Sequence, residues 1–359
     1  MNFSKAQIEH RLRWIKQLIS TTDISVIGGY HGGNLGDMAL GYSVRDILLK
    51  RGLKSNLQTI YNLEKWTKTK SAIIGGGAIG YIYSLEKIAN QYKGNYGNIG
   101  ILGVDFNEPF YPQELMELLK NVAFISCRSK AQADKMMALT GRNDIVSHPD
   151  IAFSFKDDYC EGIRNSLNKS KKLLINIVPL YGKVTNGVLE PIEKYKEERS
   201  NLYENFQVMN NSYRSVLRKI TEKALDEGFS VETIPFTSDD EEYGKLLLKG
   251  LSVKHNSYSP DPYKMLYKMA NAEWALTTRY HSTIFAIKLG IKITPIAYAT
   301  KNELMLNELG FKRDQFLTTD DLAAGIDTIK NSLYVDKVKI NQWEKSCFDQ
   351  INSCISRLP

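Results

Sequence analysis

Arg279 and His281 stand two residues apart in the run Thr278-Arg279-Tyr280-His281-Ser282-Thr283, between a strand-like segment and a helix that Gly290 can end. In an extended segment that spacing sends both side chains the same way. Ser282 is placed to cap the helix, so the pair is predicted at the carboxyl end of a strand and the mouth of a helix, where open α/β sheets bind anions. The run Ile293-Thr294-Pro295-Ile296-Ala297-Tyr298 reads as the next buried strand, and Lys301 follows it. Arg128 follows the strand-like Val122–Ser126 and takes the equivalent position in the first half of the chain. An arginine fork matches planar carboxylate and phosphate oxygens, and a histidine can deliver a proton near neutral pH.

Carboxylates and glycines suggest a different ligand elsewhere. His31-Gly32-Gly33-Asn34-Leu35-Gly36-Asp37 lies between a strand and a helix. Its glycines permit positive φ and a close backbone approach to a ligand, while Asp37 is placed to cap the helix. A carboxylate repels phosphate and suits a hydroxyl-bearing ligand such as a sugar; a plain tight turn is the competing reading. Gly75-Gly76-Gly77-Ala78-Ile79-Gly80 fits G-x-G-x-x-G after a strand, with Asp105 at the end of a later one, which is the case for a dinucleotide site. Against it, the match falls on the third strand of its unit and a further helix precedes Asp105. Glycines that keep a wall low for substrate are the alternative. Asp239, Asp240, Glu241 and Glu242 read as a solvated helix start favoured by the macrodipole rather than a metal site. The chain has no Walker-type phosphate loop and no H-E-x-x-H, and His148-Pro149-Asp150 lacks a metal-ligand companion at the usual spacing.

The elements that must position these groups alternate. A helix is expected over Ala6–Ile19, then strands over Asp23–Gly29, Asn56–Ile60, Ser71–Gly77, Ile99–Val104 and Val122–Ser126, with helices over Asp37–Lys50, Pro112–Lys120 and Ser129–Leu139. After the polar stretch Lys156–Ser170, strands are expected over Leu173–Val178, Phe229–Ile234, Leu251–Lys254 and Trp274–Thr278. A long loop is expected over Tyr181–Asn205, and helices over Val208–Glu227, Pro262–Asn271, Asn302–Glu308, Asp320–Asn331 and Lys339–Ile355. Strands alternating with helices imply an α/β fold with parallel sheets covered on both faces. Length and pattern divide the chain into an N-terminal domain over 1–160, a C-terminal domain over 161–335, and a helix over 336–359 that packs back.

The 359 residues carry a formal net charge of +7, which favours anionic partners, but no run of basic residues suggests a nucleic-acid tail. Cys127, Cys160, Cys347 and Cys354 have no C-x-x-C spacing and read as reduced thiols. No apolar run approaches the roughly 18 residues of a membrane span, so a cytoplasmic protein, at most peripheral to a membrane, is expected.

Taken in order, Gly33-Asn34-Leu35-Gly36-Asp37-Met38-Ala39, the strand with Gly75-Gly76-Gly77, Ser126-Cys127-Arg128-Ser129, His148-Pro149-Asp150 and Arg279-Tyr280-His281 with Pro295 and Tyr298 resemble the polysaccharide pyruvyl transferase family. The resemblance implies two Rossmann-like domains facing across a cleft, similar to GT-B glycosyltransferases. It also implies transfer of the enolpyruvyl unit of phosphoenolpyruvate to two hydroxyls of a sugar, forming a ketal and releasing phosphate. It makes His281 the general acid and sets Arg128, Arg279 and Lys301, with Tyr280 beside them, on the donor. Gly33, Asn34, Asp37, Gly76 and Gly77 fall on the acceptor side, in the N-terminal domain. Phosphoenolpyruvate is then a substrate, and neither a cofactor nor a metal is required. His281 is expected to hold its proton reliably only with the anionic donor bound. Ser129, Tyr280 and Met38 stand where the family often has aspartate, leucine and an acidic residue, which bears on donor-site tuning and acceptor identity.

Three other readings compete: a nucleotide-sugar glycosyltransferase of the same architecture, an NAD-dependent oxidoreductase built on the Gly75–Gly80 match, and a sugar-binding module without activity. The positive charge balance is compatible with a lipid-linked or nucleotide-linked acceptor, including one at the inner membrane face.

Overall fold

The computed structural model describes residues 22–155, 169–180, 203–328 and 330–359, with scattered positions elsewhere. The helix expected over Ala6–Ile19, most of the polar stretch Lys156–Ser170, most of the loop expected over Tyr181–Asn205, and Cys160 lie outside these residues. The chain forms two compact units, Met1–Lys156 with Asn341–Pro359, and Asp157–Ile340. No helix among the described residues is long and apolar enough to cross a membrane.

In the first unit, β1 (Ile24–Gly28), β2 (Ser55–Thr59), β3 (Ser71–Gly77), β4 (Ile99–Val104), β5 (Phe124–Cys127) and β6 (Val146–Ser147) make one parallel sheet in the order β2-β1-β3-β4-β5-β6. The strands β1, β3, β4 and β5 are buried along their whole length, as continuous apolar runs covered on both faces must be. Between them run α1 (Leu35–Lys50), α2 (Ile82–Gln91), α3 (Gln113–Asn121) and α4 (Lys130–Thr140). Ser129 caps α4 by accepting the Gln132 N–H, and Gly141 ends it at φ 72°.

The second unit repeats the scheme. Its parallel sheet contains β7 (Ser170–Ile175), β10 (Ser230–Thr233), β11 (Val253–His255), β12 (Ala272–Thr277), β13 (Lys292–Ala297) and β14 (Leu317–Thr318), in the order β11-β10-β7-β12-β13-β14. A short antiparallel hairpin, β8 (Val184–Thr185) with β9 (Val188–Leu189), interrupts the expected loop. The helices are α5 (Tyr203–Asp226), α6 (Ser238–Leu247), α7 (Pro262–Met269), α8 (Tyr280–Lys288), α9 (Thr300–Glu308) and α10 (Thr319–Ala323). The helix expected to run on to Asn331 stops at Ala323, because Gly325 follows at φ 76°.

Each unit is thus a doubly wound, Rossmann-like sheet. In each, the first strand lies inside the sheet and the chain winds outward from it in both directions, which creates a switch point at its carboxyl end. The switch falls between β1 and β3 in the first unit and between β7 and β12 in the second.

The last helix, α11 (Lys337–Arg357), straddles the division, and from Asn341 it belongs to the first unit. Gly100 lets it approach β4 so closely that a Cβ there would overlap Cys354 Sγ. Gln350 Oε1 accepts from Ser126 Oγ at 2.8 Å, and the Cys347 thiol donates to Asp150 O at 3.2 Å. Cys127, Cys347 and Cys354 are buried free thiols.

Candidate active site

At the switch point of the second unit, β12 ends at Thr277 and α8 begins at Tyr280, with Arg279 as its N-cap. The helix therefore starts earlier than the sequence suggests, and Ser282 is not the cap. Its hydroxyl donates to Arg279 O at 2.7 Å and to Asn176 Oδ1 at 2.8 Å. Asn176, the first residue after β7, also accepts the Arg279 N–H at 2.8 Å, so one buried amide fixes both ends of the turn. Tyr213 from α5 braces the same corner, with Oη 3.1 Å from Thr278 Oγ1 and accepting the Val178 N–H at 3.0 Å. Burial pushes that phenol's pKa up and keeps it protonated.

The spacing argument for Arg279 and His281 also fails in detail. Arg279 is extended, at φ −66° and ψ 139°, whereas His281 lies in the first helical turn. The guanidinium reaches towards α6, where Nε and Nη2 form a fork on Asp240 at 2.7 and 2.6 Å and Nη2 adds Thr237 Oγ1 at 3.1 Å. Asp240 is not part of a solvated helix start: its side chain is fully buried. Burial works against the charge of Arg279, but the hydrogen bonds and charge of Asp240 outweigh it and raise its pKa. His281 is buried and packs edge-on to Tyr280, ring centres 5.4 Å apart. Lys301 Nζ, in the first turn of α9, stands 5.4 Å from the centre of the same tyrosine ring. Asn302 ties that turn to the strand end by donating to Thr278 O at 3.4 Å. The structure thus groups Tyr280, His281 and Lys301, with Arg279 at the helix start.

The switch point of the first unit is built differently. Asn34 caps α1 by accepting the Gly36 N–H at 2.9 Å, so Asp37 is not the cap but a half-buried acid in the first turn. A side chain at Gly29 would meet Asp37 Oδ2 at 3.6 Å, and one at Gly77 would meet Asp37 Oδ1 at 3.9 Å, which places the carboxylate between the ends of β1 and β3. Gly33 takes φ 85° with open space at its Cβ position. Gly76, at φ 70°, is packed instead: a Cβ there would come within 2.8 Å of Leu40 Cδ1 and 3.0 Å of Ile151 Cδ1. Packing against α1 accounts for that glycine.

Arg128 follows β5 with its side chain 5% exposed. Nε donates to Asp105 Oδ1 at 2.9 Å, Nη2 bonds the other oxygen of Asp105, and Nη1 donates to Asp150 Oδ2 at 2.9 Å. Asp105 is thus the partner of Arg128. His148 is held by Ser346, Nδ1 to Oγ 2.8 Å. Sequence reasoning did not single out Asn176, and it named Asp105, Asp150 and Asp240 without linking them to these arginines. No spacing rule links these residues to their arginines, and only the strand order brings them together.

The two doubly wound α/β units thus carry an acid at one switch point and an arginine, a histidine and a lysine at the other. The family model for polysaccharide pyruvyl transferase matches residues 34–300, most of the chain. The chain belongs to that family, and the protein is a transferase. Asn34 opens the matched region, and Lys301 lies one residue beyond it. Among curated protein sequences none matches. Similar solved structures include a UDP-GlcNAc 2-epimerase of Methanocaldococcus jannaschii, at 12% identity and TM-score 0.42, covering 90% of this chain and 97% of that one. Arabidopsis thaliana UGT89C1 is similar at 7% identity and TM-score 0.49, covering 94% and 100%. The Escherichia coli heptosyltransferase WaaC is similar at 10% identity and TM-score 0.39, covering 84% and 97%.

Proposed function

We propose that the protein transfers the enolpyruvyl unit of phosphoenolpyruvate to two hydroxyls of a sugar, giving a pyruvate ketal and phosphate in cell-surface or exopolysaccharide synthesis. The observation that carries this reading is the placing of His281 and Lys301 against Tyr280 at the mouth of α8, with Arg279 as the N-cap of that helix. The donor carries close to three negative charges, and a helix N-terminus with two cations suits them. Arg128, which the family resemblance also sets on the donor, already faces two carboxylates. We therefore give the donor's phosphate and carboxylate first to Arg279 and Lys301.

In the proposed sequence His281 protonates the methylene carbon, which becomes a methyl group, and C2 becomes electrophilic. One sugar hydroxyl adds to C2 and its proton returns to His281. The C2–O bond to phosphate then breaks, the second hydroxyl adds, and its proton leaves with the phosphate. Charge and atoms balance without a cofactor. Asp37 is the proposed contact for acceptor hydroxyls, with Gly77 beside its carboxylate and Gly33 and the cap Asn34 in the loop that opens its helix. The acceptor is lipid-linked or nucleotide-linked in this reading, and the reaction is cytoplasmic, peripheral to the membrane for a lipid-linked sugar.

Incubation with phosphoenolpyruvate and a panel of lipid-linked and nucleotide-linked sugars, followed by mass spectrometry and phosphate assay, tests the reading. A ketal on the sugar with one phosphate released per ketal is expected. Release of a nucleoside diphosphate without use of phosphoenolpyruvate would contradict it.

A further inference from the structure

Donor chemistry makes no use of a second feature at the switch point of the first unit. The 3-10 helix Ile60–Lys65 follows β2, and Tyr61 on it is 54% exposed. Its ring lies against the glycine loop, where a side chain at Gly32 would meet Cε2 at 3.1 Å. At Gly29 a Cβ would meet Tyr61 Oη at 3.7 Å and Asp37 Oδ2 at 3.6 Å, so phenol and carboxylate border one point that a glycine leaves bare. Burial first, and the charge of Asp37 second, make the phenol hold its proton more tightly.

This corner is held firmly. His31 sits at φ 62°, rare for a residue with a side chain. Its Nε2 lies 3.1 Å from Leu57 O and its ring stacks on Trp66, centres 6.2 Å apart. A strained residue kept at a ligand-facing loop is a mark of pre-organisation. Lys87 then joins Tyr61 to a second exposed ring: Nζ donates to Tyr61 O at 2.7 Å and stands 4.6 Å from the centre of Tyr83, which is 58% exposed.

We propose that Tyr61 and Asp37 form the first subsite for an acceptor glycan and that Tyr83 forms the second, so that the acceptor is a chain of at least two sugar units. The proposal rests on the reading that the acceptor is a sugar. A pyranose ring has a C–H face and a hydroxyl rim; an exposed aromatic ring takes the face, and a carboxylate accepts from the rim. Lys87, bonded to the Tyr61 backbone carbonyl and lying over the Tyr83 ring, ties together the segments that carry the two rings, and that extends the recognition beyond a single sugar.

Saturation-transfer NMR with methyl glycosides of glucose, galactose, mannose and N-acetylglucosamine, and with the corresponding disaccharides, tests this without turnover. Tyr61→Ala is expected to weaken both monosaccharide and disaccharide binding by about tenfold, and Tyr61→Phe to retain most of it. Tyr83→Ala is expected to weaken only the disaccharides. Calorimetric binding of phosphoenolpyruvate should stay unchanged in all three, which also checks that they fold. Equal glycan binding by wild type and Tyr61→Ala, or no binding of any glycoside by wild type, would overturn the proposal. So would Tyr61-dependent binding to phosphatidylglycerol vesicles in place of glycans, which would mark a membrane face. Tyr61-dependent glycan binding in a protein that releases no phosphate would uphold the subsites and contradict pyruvyl transfer.

Discussion

The two switch points share an architecture and differ in the sign of their charge. In the first unit Asp37 lies at the switch point, and Arg128, after β5, is paired with Asp105 and Asp150; in the second Arg279 is paired with Asp240, and Lys301 and His281 lie against Tyr280. Both arginines follow a strand and both are forked onto an aspartate, but Arg128 has a second carboxylate and 5% exposure, and Arg279 has one carboxylate and 19% exposure. The same fold thus carries two corners that contrast in their charges, and we propose that the acidic corner takes hydroxyls and the basic corner an anion. The position of an arginine after a strand does not by itself say which.

The comparison breaks first at the histidine. His281→Ala is expected to lower phosphate release by about 10²–10⁴-fold while leaving donor binding measurable by calorimetry. Turnover at the normal rate would remove His281 from the chemistry.

Next come the aspartates. Asp240→Ala leaves the Arg279 fork without its carboxylate and is expected to cost about 3–5 kcal/mol in urea unfolding. Asp105→Ala should cost less, because Asp150 still faces Arg128. The reverse order would mean that the second carboxylate adds nothing.

Glycine substitutions sharpen the contrast within the first unit. Gly76→Ala must displace Leu40 and Ile151 and also strain a positive φ, for a loss of about 2–4 kcal/mol. Gly33→Ala meets open space and should cost about 1–2 kcal/mol, from φ alone. A thermal shift series reads both.

The smallest effect is on acid stability. Hydrogen bonds from Arg142, then its charge and that of Arg357 from α11, outweigh burial and hold the Asp144 carboxyl below its ordinary pKa. The stability it contributes is present above the unfolded carboxylate pKa and is lost as pH falls through the lowered folded value. Asp144→Asn should flatten that part of the pH–stability curve; an unchanged curve would assign the acid sensitivity elsewhere.

Much of this was legible in the residues. Continuous apolar strands, Gly141 after a helix and the alternation of periods point to parallel α/β sheets, and Arg128, Arg279 and Lys301 do follow strands. The details that failed were those decided by contacts distant in sequence. Asp240 looked solvated because nothing local reveals an arginine 39 residues on, and Asn176 reaches Arg279 across 103 residues. The shared direction inferred for Arg279 and His281 assumed an extended segment, and a helix that starts at Tyr280 removes that assumption. Asp37 lost its capping role to Asn34, which sits where the helix begins.

The most direct test of the charge contrast is a phosphoenolpyruvate titration, followed by calorimetry, of wild type, Lys301→Gln and Asp37→Asn. The expected result is a loss of affinity of about tenfold or more in Lys301→Gln, with Asp37→Asn binding the donor as well as wild type or better. Unchanged binding in Lys301→Gln together with loss in Asp37→Asn would contradict the assignment of donor and acceptor to the two units.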